Sequence, residues 1–137
     1  GFMKLFNYIS GCNNKHEEIP IATPVLTKVY YNLNGQFHPS NFTVSFFISF
    51  KYQGNPPVPT DNTIVVSRCS SFSAYVVSFG GYMKLVPQIR HDVKKLADAL
   101  ERDGLGKSYI KDYFYTAVYD NPYVENNRHN GIWLIKK

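Results

Sequence analysis

Four histidines are the residues of this sequence whose side chains are best suited to ligate a metal ion. His16, His38 and His129 fall in predicted loops, and His91 lies near the polar edge of a predicted helix. No second histidine or carboxylate accompanies any of them at the spacing typical of a metal site. A solvated side chain is therefore the favoured interpretation for each histidine, and these residues predict no dedicated metal site.

Two cysteines and one sequon could carry covalent chemistry. Cys12 and Cys69 could form a disulfide in an oxidising compartment, although two cysteines are also an ordinary number for a reduced cytosolic protein. Asn41 begins the triplet Asn-Phe-Thr, a possible glycosylation site that supports secretion slightly. We expect an extracellular, secreted protein, with a cytoplasmic location as the alternative.

The sequence offers no pattern typical of an enzyme. It contains no paired carboxylates in a plausible arrangement, no nucleophile elbow and no histidine-rich motif. The segment GLGKS at residues 104–108 imitates the end of a phosphate-binding loop, but Glu101 stands where that loop requires its first glycine. Cys69 follows Arg68, yet a half-buried cysteine on a strand is usually inert. We therefore expect no enzymatic activity.

Length and charge restrict the class of protein further. The 137 residues, of which 44% are hydrophobic, suffice for a single domain over residues 1–137. A formal charge of +5 attracts anions, whether nucleic acid, lipid headgroups or carboxylate ligands. Because the lysines and arginines are scattered and no Gly-Phe-rich RNA-binding motif occurs, we do not expect nucleic acid as a partner. No apolar run is long enough to predict a membrane span.

Two helices are predicted from apolar residues at helical spacing. Phe2, Leu5, Phe6 and Ile9 form the apolar face of a short first helix. A second helix is predicted over residues 84–103, with a proline near its start and a glycine just after its end. Its apolar stripe comprises Val86, Ile89, Val93, Leu96, Ala97 and Leu100.

The rest of the chain predicts strands joined by loops. Residues 19–31 predict an edge or irregular strand, because Pro20 and Pro24 each remove a backbone donor. Residues 42–50 show the clearest alternation of large apolar and smaller side chains. The elements together predict the α+β class. Further strands are expected within residues 64–79, 110–119 and 132–135.

The order of the predicted elements suggests an internal repeat. The order is helix, three strands, helix and two strands, which becomes two copies of a βαββ unit if one strand is supplied before Gly1. Gly1 also offers the first helix no capping side chain. We therefore expect that the numbered chain lacks its native N-terminal segment. An N-terminal fragment of the same precursor is then a possible partner of an otherwise monomeric domain.

Three stretches of this chain resemble the SOUL/haem-binding-protein family, and the haem-binding protein 2-like branch most of all. The match covers essentially the whole chain in the same order, which is far more specific than any single motif. The matching segments are GFMKLFNYISG (1–11) with IPIATPV (19–25), QGNPPVP (53–59) with FGGY (79–82), and YDNP (119–122) with NRHNGIWL (127–134).

The resemblance implies a twisted, pseudo-symmetric β-barrel of βαββ repeats with two packed helices. The family usually has methionine where Ile21 stands and an acidic residue where Gly131 stands. A histidine proposed to ligate haem iron in some members belongs to the N-terminal region that we expect to be missing before Gly1. No residue here inherits that role directly.

The same resemblance implies a function. We expect non-covalent binding of haem, a related tetrapyrrole or a similar apolar anion in a surface pocket between the first helix and the last loop, in a carrier, buffer or sensor. Apolar walls with one or two cations suit a porphyrin whose propionates stay charged. If iron is ligated, His129 is the first choice, because its loop flanks the pocket. The candidate ligand-binding residues are Met3, Phe6, Tyr123, Arg128 and His129.

A second hypothesis belongs to a different class. The domain could be a protein-interaction module that acts through helix 84–103 or through its basic surface, with no physiological ligand. The leucines of that helix are also needed for the core, which favours the ligand-binding hypothesis. A haem titration distinguishes the two.

Overall fold

The computed structural model describes residues 1–31, 37–82, 86–121 and 123–137, without the side chains of residues 31–41, 86 and 87. The order of its elements agrees with the order that the sequence predicts. The elements are α1 (Phe2–Ile9), β1 (Ala22–Tyr31), β2 (Phe37–Phe47), a 3-10 turn (Phe50–Tyr52), β3 (Ala74–Phe79), α2 (Val86–Arg102), β4 (Tyr113–Val118) and β5 (Asn130–Ile135).

The five strands form one antiparallel sheet in the order β2-β1-β4-β5-β3. With the two helices, this sheet confirms the α+β class. Within the described residues no ladder joins β2 to β3, so the sheet is open and a closed barrel is not confirmed. The two outer strands each leave one backbone edge unpaired in that ladder pattern.

Three strand predictions need correction. β1 is not an edge strand, because it pairs with both β2 and β4, although its register is irregular around Pro24 as the prolines predict. Residues 42–50, which show the clearest alternation, do not all form strand. β2 ends at Phe47, and Phe50 begins the 3-10 turn. Residues 64–73 form no ladder, and only Ala74–Phe79 is strand. In each case the pairing partner, which is distant in sequence, decides where a strand lies.

The second helix confirms its prediction closely. α2 ends at Arg102, and Gly104 follows with a φ of 75°, a conformation that favours glycine. Val93 and Leu100 of the predicted stripe are buried. They belong to one core cluster with Val29, Tyr109, Phe114, Ile132 and Leu134. Burial of these side chains holds α2 on the sheet.

The first helix buries a different face from the one that the spacing predicts. Ile9 is buried as expected, but Phe2 and Phe6 are exposed, and the other buried residue is Tyr8. The Tyr8 hydroxyl donates a 2.6 Å hydrogen bond to the carbonyl of Pro57, and burial raises the pKa of this hydroxyl. The helix therefore leaves part of its apolar face uncovered. No helix of the described residues has the length and hydropathy that a membrane span requires.

Candidate functional site

One end of the sheet gathers the segments that carry the candidate residues. Val25, Val118, Asn130 and Phe79 face one another in a continuous row across β1, β4, β5 and β3. The loop after β4 and the connection after β3 leave the sheet next to this row. The segment from α1 reaches β1 at the same end, since Ile21 directly precedes that strand. The pairing of the strands thus brings distant parts of the sequence to one rim.

A cleft of about 670 Å³ opens beside the row, and we call it the loop cleft. Its volume lies in the range typical of small-molecule sites. Apolar rings and two buried polar residues make up its wall. The lining residues are Ser78, Phe79, Gly80, Tyr119, Arg128, His129 and Asn130.

Arg128 is the main cation of the loop cleft, and it is buried, with 6% of its surface exposed. Its Nη1 donates to the carbonyls of Asn121 and Val124 at 2.7 and 2.9 Å, and its Nε donates to that of Gly81 at 3.2 Å. The guanidinium also lies 4.1 Å from the ring centroid of Tyr82. Arg128 therefore joins the last loop to the connection after β3, and within the described residues it forms no ion pair with a carboxylate.

Asn130 lies two residues further along, with 1% of its surface exposed. Its Nδ2 donates a 2.6 Å hydrogen bond to the carbonyl of Gly81, the same oxygen that Arg128 contacts. Its Oδ1 is buried and accepts no hydrogen bond within the described part of the chain. The wall of the cleft thus contains an amide whose nitrogen is hydrogen-bonded and whose oxygen has no partner within the described residues.

His129 stands between these two residues in sequence, and its side chain is largely exposed at the edge of the cleft. Its backbone N–H donates to Oδ2 of Asp120, and its Nδ1 lies 3.3 Å from the same oxygen. A carboxylate beside Nδ1 orients an imidazole so that Nε2 is left for a ligand. The sequence showed no carboxylate near His129 at ligand spacing, because Asp120 approaches it only through the loop.

A second cleft of about 400 Å³ lies beside the first helix, and we call it the helix cleft. Ile21, where the resembling family usually has methionine, is one of its exposed apolar residues. Phe6 also contributes to its wall. The full lining is Phe6, Ile9, Ser10, Glu18, Ile19, Pro20, Ile21 and Tyr52.

The structure brings together some of the five predicted ligand-binding residues and not others. Arg128 and His129 both line the loop cleft, whereas Phe6 lines the helix cleft. Met3 on α1 and Tyr123 in the last loop line neither cleft and expose 63% and 90% of their surfaces. Sequence reasoning missed Asn130, for which the only available signal was its position two residues after Arg128, at the start of β5.

None of the remaining chemical candidates whose side chains are described lines either cleft. Cys12 and Cys69 are exposed free thiols here, so their disulfide stays a prediction. Asn41 lies in β2, and its side chain falls outside the description, as does that of His38. Among the described residues, no group of three or more histidines, cysteines or acids is placed to hold a metal ion.

Comparison with known proteins gives a consistent result. The model of a family described as "SOUL heme-binding protein" matches residues 1–135. "Heme-binding protein 1" of Xenopus laevis is 37% identical over 136 residues, which cover 99% of this chain and 69% of that protein. "Heme-binding protein 2" of Homo sapiens is 33% identical over 137 residues, which cover 100% of this chain and 65% of that protein. These identities do not favour the haem-binding protein 2-like branch, and the chain spans about two thirds of its relatives' length.

Proposed function

The chain belongs to the SOUL haem-binding protein family, and on this premise we propose that it binds haem non-covalently at the rim of its sheet. The proposed site extends from the loop cleft to the exposed apolar face of α1. Its proposed role is that of a carrier, buffer or sensor of haem or a related tetrapyrrole. No enzymatic activity is part of this proposal.

The observation that carries the proposal is the state of Arg128. Its guanidinium is removed from water, yet its partners in the described structure are backbone carbonyls and a tyrosine ring. A buried cation is stabilised further by an anion, and guanidinium groups bind carboxylates especially well. A haem propionate entering the loop cleft supplies such a carboxylate.

Apolar side chains at the same end of the sheet supply the rest of the surface that a porphyrin requires. Phe79 and Tyr119 line the loop cleft, and the exposed side chains of Met3 and Phe6 lie on α1. Tyr123 projects from the last loop with most of its ring exposed. We propose that Met3, Phe6 and Tyr123 lose this exposure when the flat apolar face of the ligand covers them.

His129 is the proposed contact to iron. Bound haem would bring an iron atom, for which an imidazole nitrogen is a common protein ligand. The exposed Nε2 of His129 is free for this role because Asp120 engages the opposite side of the ring. Asp120 therefore acts as a positioning residue that holds the imidazole in one orientation.

The alternative, an interaction module that acts through helix 84–103 or through the basic surface, has less support, and the helix route can be examined directly. The side chains of α2 that a partner groove would need, such as Val93 and Leu100, are buried in the core. A partner could take them only if α2 left the sheet. Ligand binding needs no such cost, and we therefore place it first.

A barrel is part of the proposal for the fold. β3, α2, β4 and β5 form a βαββ unit in which β3 pairs with β5. α1, β1 and β2 repeat the last three elements of that unit, so a strand paired with β2 would complete a second copy. We propose that an N-terminal segment of the precursor supplies this strand. Its presence as a co-purifying fragment would support the proposal, and a cooperatively folding lone chain would contradict it.

The test of the function is a haem titration followed by the absorbance of the bound pigment. Saturable binding of one haem per chain is expected. A titration without saturation would contradict the proposal and favour the interaction module. The affinity of each variant is then compared with that of the parent, as described in the Discussion.

A further inference from the structure

Two buried side chains of the loop cleft converge on a single backbone oxygen. Nε of Arg128 and Nδ2 of Asn130 both donate to the carbonyl of Gly81, at 3.2 and 2.6 Å. The polar ends of the two side chains therefore lie next to each other at the wall of the cleft.

Each of these side chains has one polar atom that makes no hydrogen bond within the described residues. Nη2 of Arg128 makes no hydrogen bond within the described residues, since the bonds of that side chain come from Nε and Nη1. Oδ1 of Asn130 is buried and accepts no hydrogen bond there. A buried acceptor without a donor is unfavourable, and a bound molecule that supplies the donor removes this cost.

The unpaired oxygen of Asn130 differs from the other buried unpaired atoms because its residue lines a cleft. Three buried side-chain atoms lack a hydrogen-bond partner in the described part of the chain: Ser49 Oγ, Trp133 Nε1 and Asn130 Oδ1. Only Asn130 belongs to a residue that lines either cleft. The cleft wall therefore holds, close together, a nitrogen of Arg128 and a buried oxygen of Asn130 that both lack a hydrogen-bond partner within the described residues.

Such a pair is complementary to a group that carries an acceptor and a donor next to each other. The edge of haem offers ionised propionates, which accept hydrogen bonds, and its pyrrole nitrogens hold iron instead of protons. A linear tetrapyrrole differs, because each terminal ring is a lactam whose C=O and N–H are adjacent. It also keeps two propionates and an extended apolar skeleton.

We propose that the loop cleft recognises a linear tetrapyrrole through a terminal lactam, an inference that rests on the proposed tetrapyrrole-binding function. The lactam C=O accepts from Nη2 of Arg128, and its N–H donates to Oδ1 of Asn130. A site built to pair with such a donor discriminates against ligands that lack it. The protein thus prefers the ring-opened pigment to haem itself.

The experiment compares two ligands in two proteins. Biliverdin and haem are titrated separately into the parent and into Asn130→Leu, which replaces the amide with an apolar side chain of similar size. In the parent, biliverdin should bind more tightly than haem. In Asn130→Leu, the affinity for biliverdin relative to haem should fall about tenfold, the effect of one lost hydrogen bond. Comparing the two ligands within each protein cancels any loss of folded protein.

Ser49→Ala is the matched control, because it removes another buried unpaired oxygen that lines neither cleft. Its ratio of the two affinities should equal that of the parent. An unchanged ratio in Asn130→Leu would overturn the inference, while saturable haem binding would leave the proposed function intact. Failure of both ligands to bind the parent would overturn both proposals.

Discussion

Asp120 and His129, nine residues apart, meet across the last loop: one carboxylate oxygen accepts the backbone N–H of His129 and lies 3.3 Å from its Nδ1. The contact closes the loop next to the end of β4 and fixes the side of the imidazole that faces solvent. In the sequence no carboxylate accompanies His129 at ligand spacing, but in the fold Asp120 orients its imidazole ring. The proposed role of His129 toward iron depends on this contact.

Removal of Asp120 tests that dependence. We predict that Asp120→Ala lowers haem affinity about tenfold, the lower end of the effect of losing an orienting partner, and alters the haem absorption spectrum in the same direction as His129→Ala. Asp103→Ala, which removes an exposed acid after α2, is the control and should bind as the parent does. If His129→Ala leaves the spectrum unchanged, His129 is not the ligand.

The buried guanidinium of Arg128 should also stabilise the fold. Arg128→Ala removes three hydrogen bonds to backbone carbonyls, and the carbonyls of Asn121 and Val124 lose the donor that Arg128 supplies. We predict a decrease of about 3 kcal/mol in the free energy of unfolding, measured by urea denaturation. Arg102→Ala, at the exposed end of α2, should change it by less than about 0.5 kcal/mol. Equal effects of the two substitutions would show that the contacts of Arg128 add nothing to stability.

The buried tyrosine of α1 predicts a loss of stability at high pH. Because burial raises the pKa of Tyr8, the folded protein keeps this proton where the unfolded chain releases it. The free energy of unfolding should therefore be highest below pH 10 and fall as the pH rises above it. Tyr8→Phe should be less stable at pH 8 by about 1 kcal/mol, since it loses the bond to Pro57, and should show a smaller fall.

Tyr123→Phe is the control for this prediction, because the side chain of Tyr123 is 90% exposed. Its stability should follow the same pH dependence as that of the parent in urea titrations at pH 8 and pH 11. Some fall should remain in Tyr8→Phe, since burial also raises the pKa of Tyr109. A fall that is as steep in Tyr8→Phe as in the parent would contradict the assignment to Tyr8.

The apolar face of α1 can be tested without disturbing the core. Met3 is 63% exposed, so Met3→Asp should fold as the parent does but should weaken haem binding about tenfold, because the ligand would cover a carboxylate. Val65→Asp places the same charge at a side chain that is 81% exposed and lines neither cleft. Equal haem affinities of the two variants would exclude this face from the site.

Local sequence features predicted some parts of this structure well. The boundary of α2 followed from its apolar stripe and from Gly104, because helix stripes and stop signals act within a few residues. The central position of β1 could not be read from its prolines, because that position depends on pairing with β4, about ninety residues later. The inward turn of Tyr8 likewise depends on Pro57, which lies 49 positions away.

The candidate site shows the same division. Arg128 and His129 were predicted as a pair because they are neighbours in a loop segment that resembles the family. The convergence of Arg128 and Asn130 on Gly81 could not be predicted, since it joins segments 47 and 49 positions apart. The unpaired oxygen of Asn130 follows from that convergence and from the close packing around it. Geometry therefore supplied the feature on which the proposed preference for a linear tetrapyrrole rests.

The central claim is that a haem propionate pairs with the guanidinium of Arg128, and the most direct measurement compares haem with its dimethyl ester, which lacks both negative charges. Each is titrated into the parent and into Arg128→Met, a variant of similar length without charge. We predict that the parent binds haem at least about tenfold more tightly than the ester, and that the ratio approaches one in Arg128→Met. The same ratio in both proteins would contradict the claim.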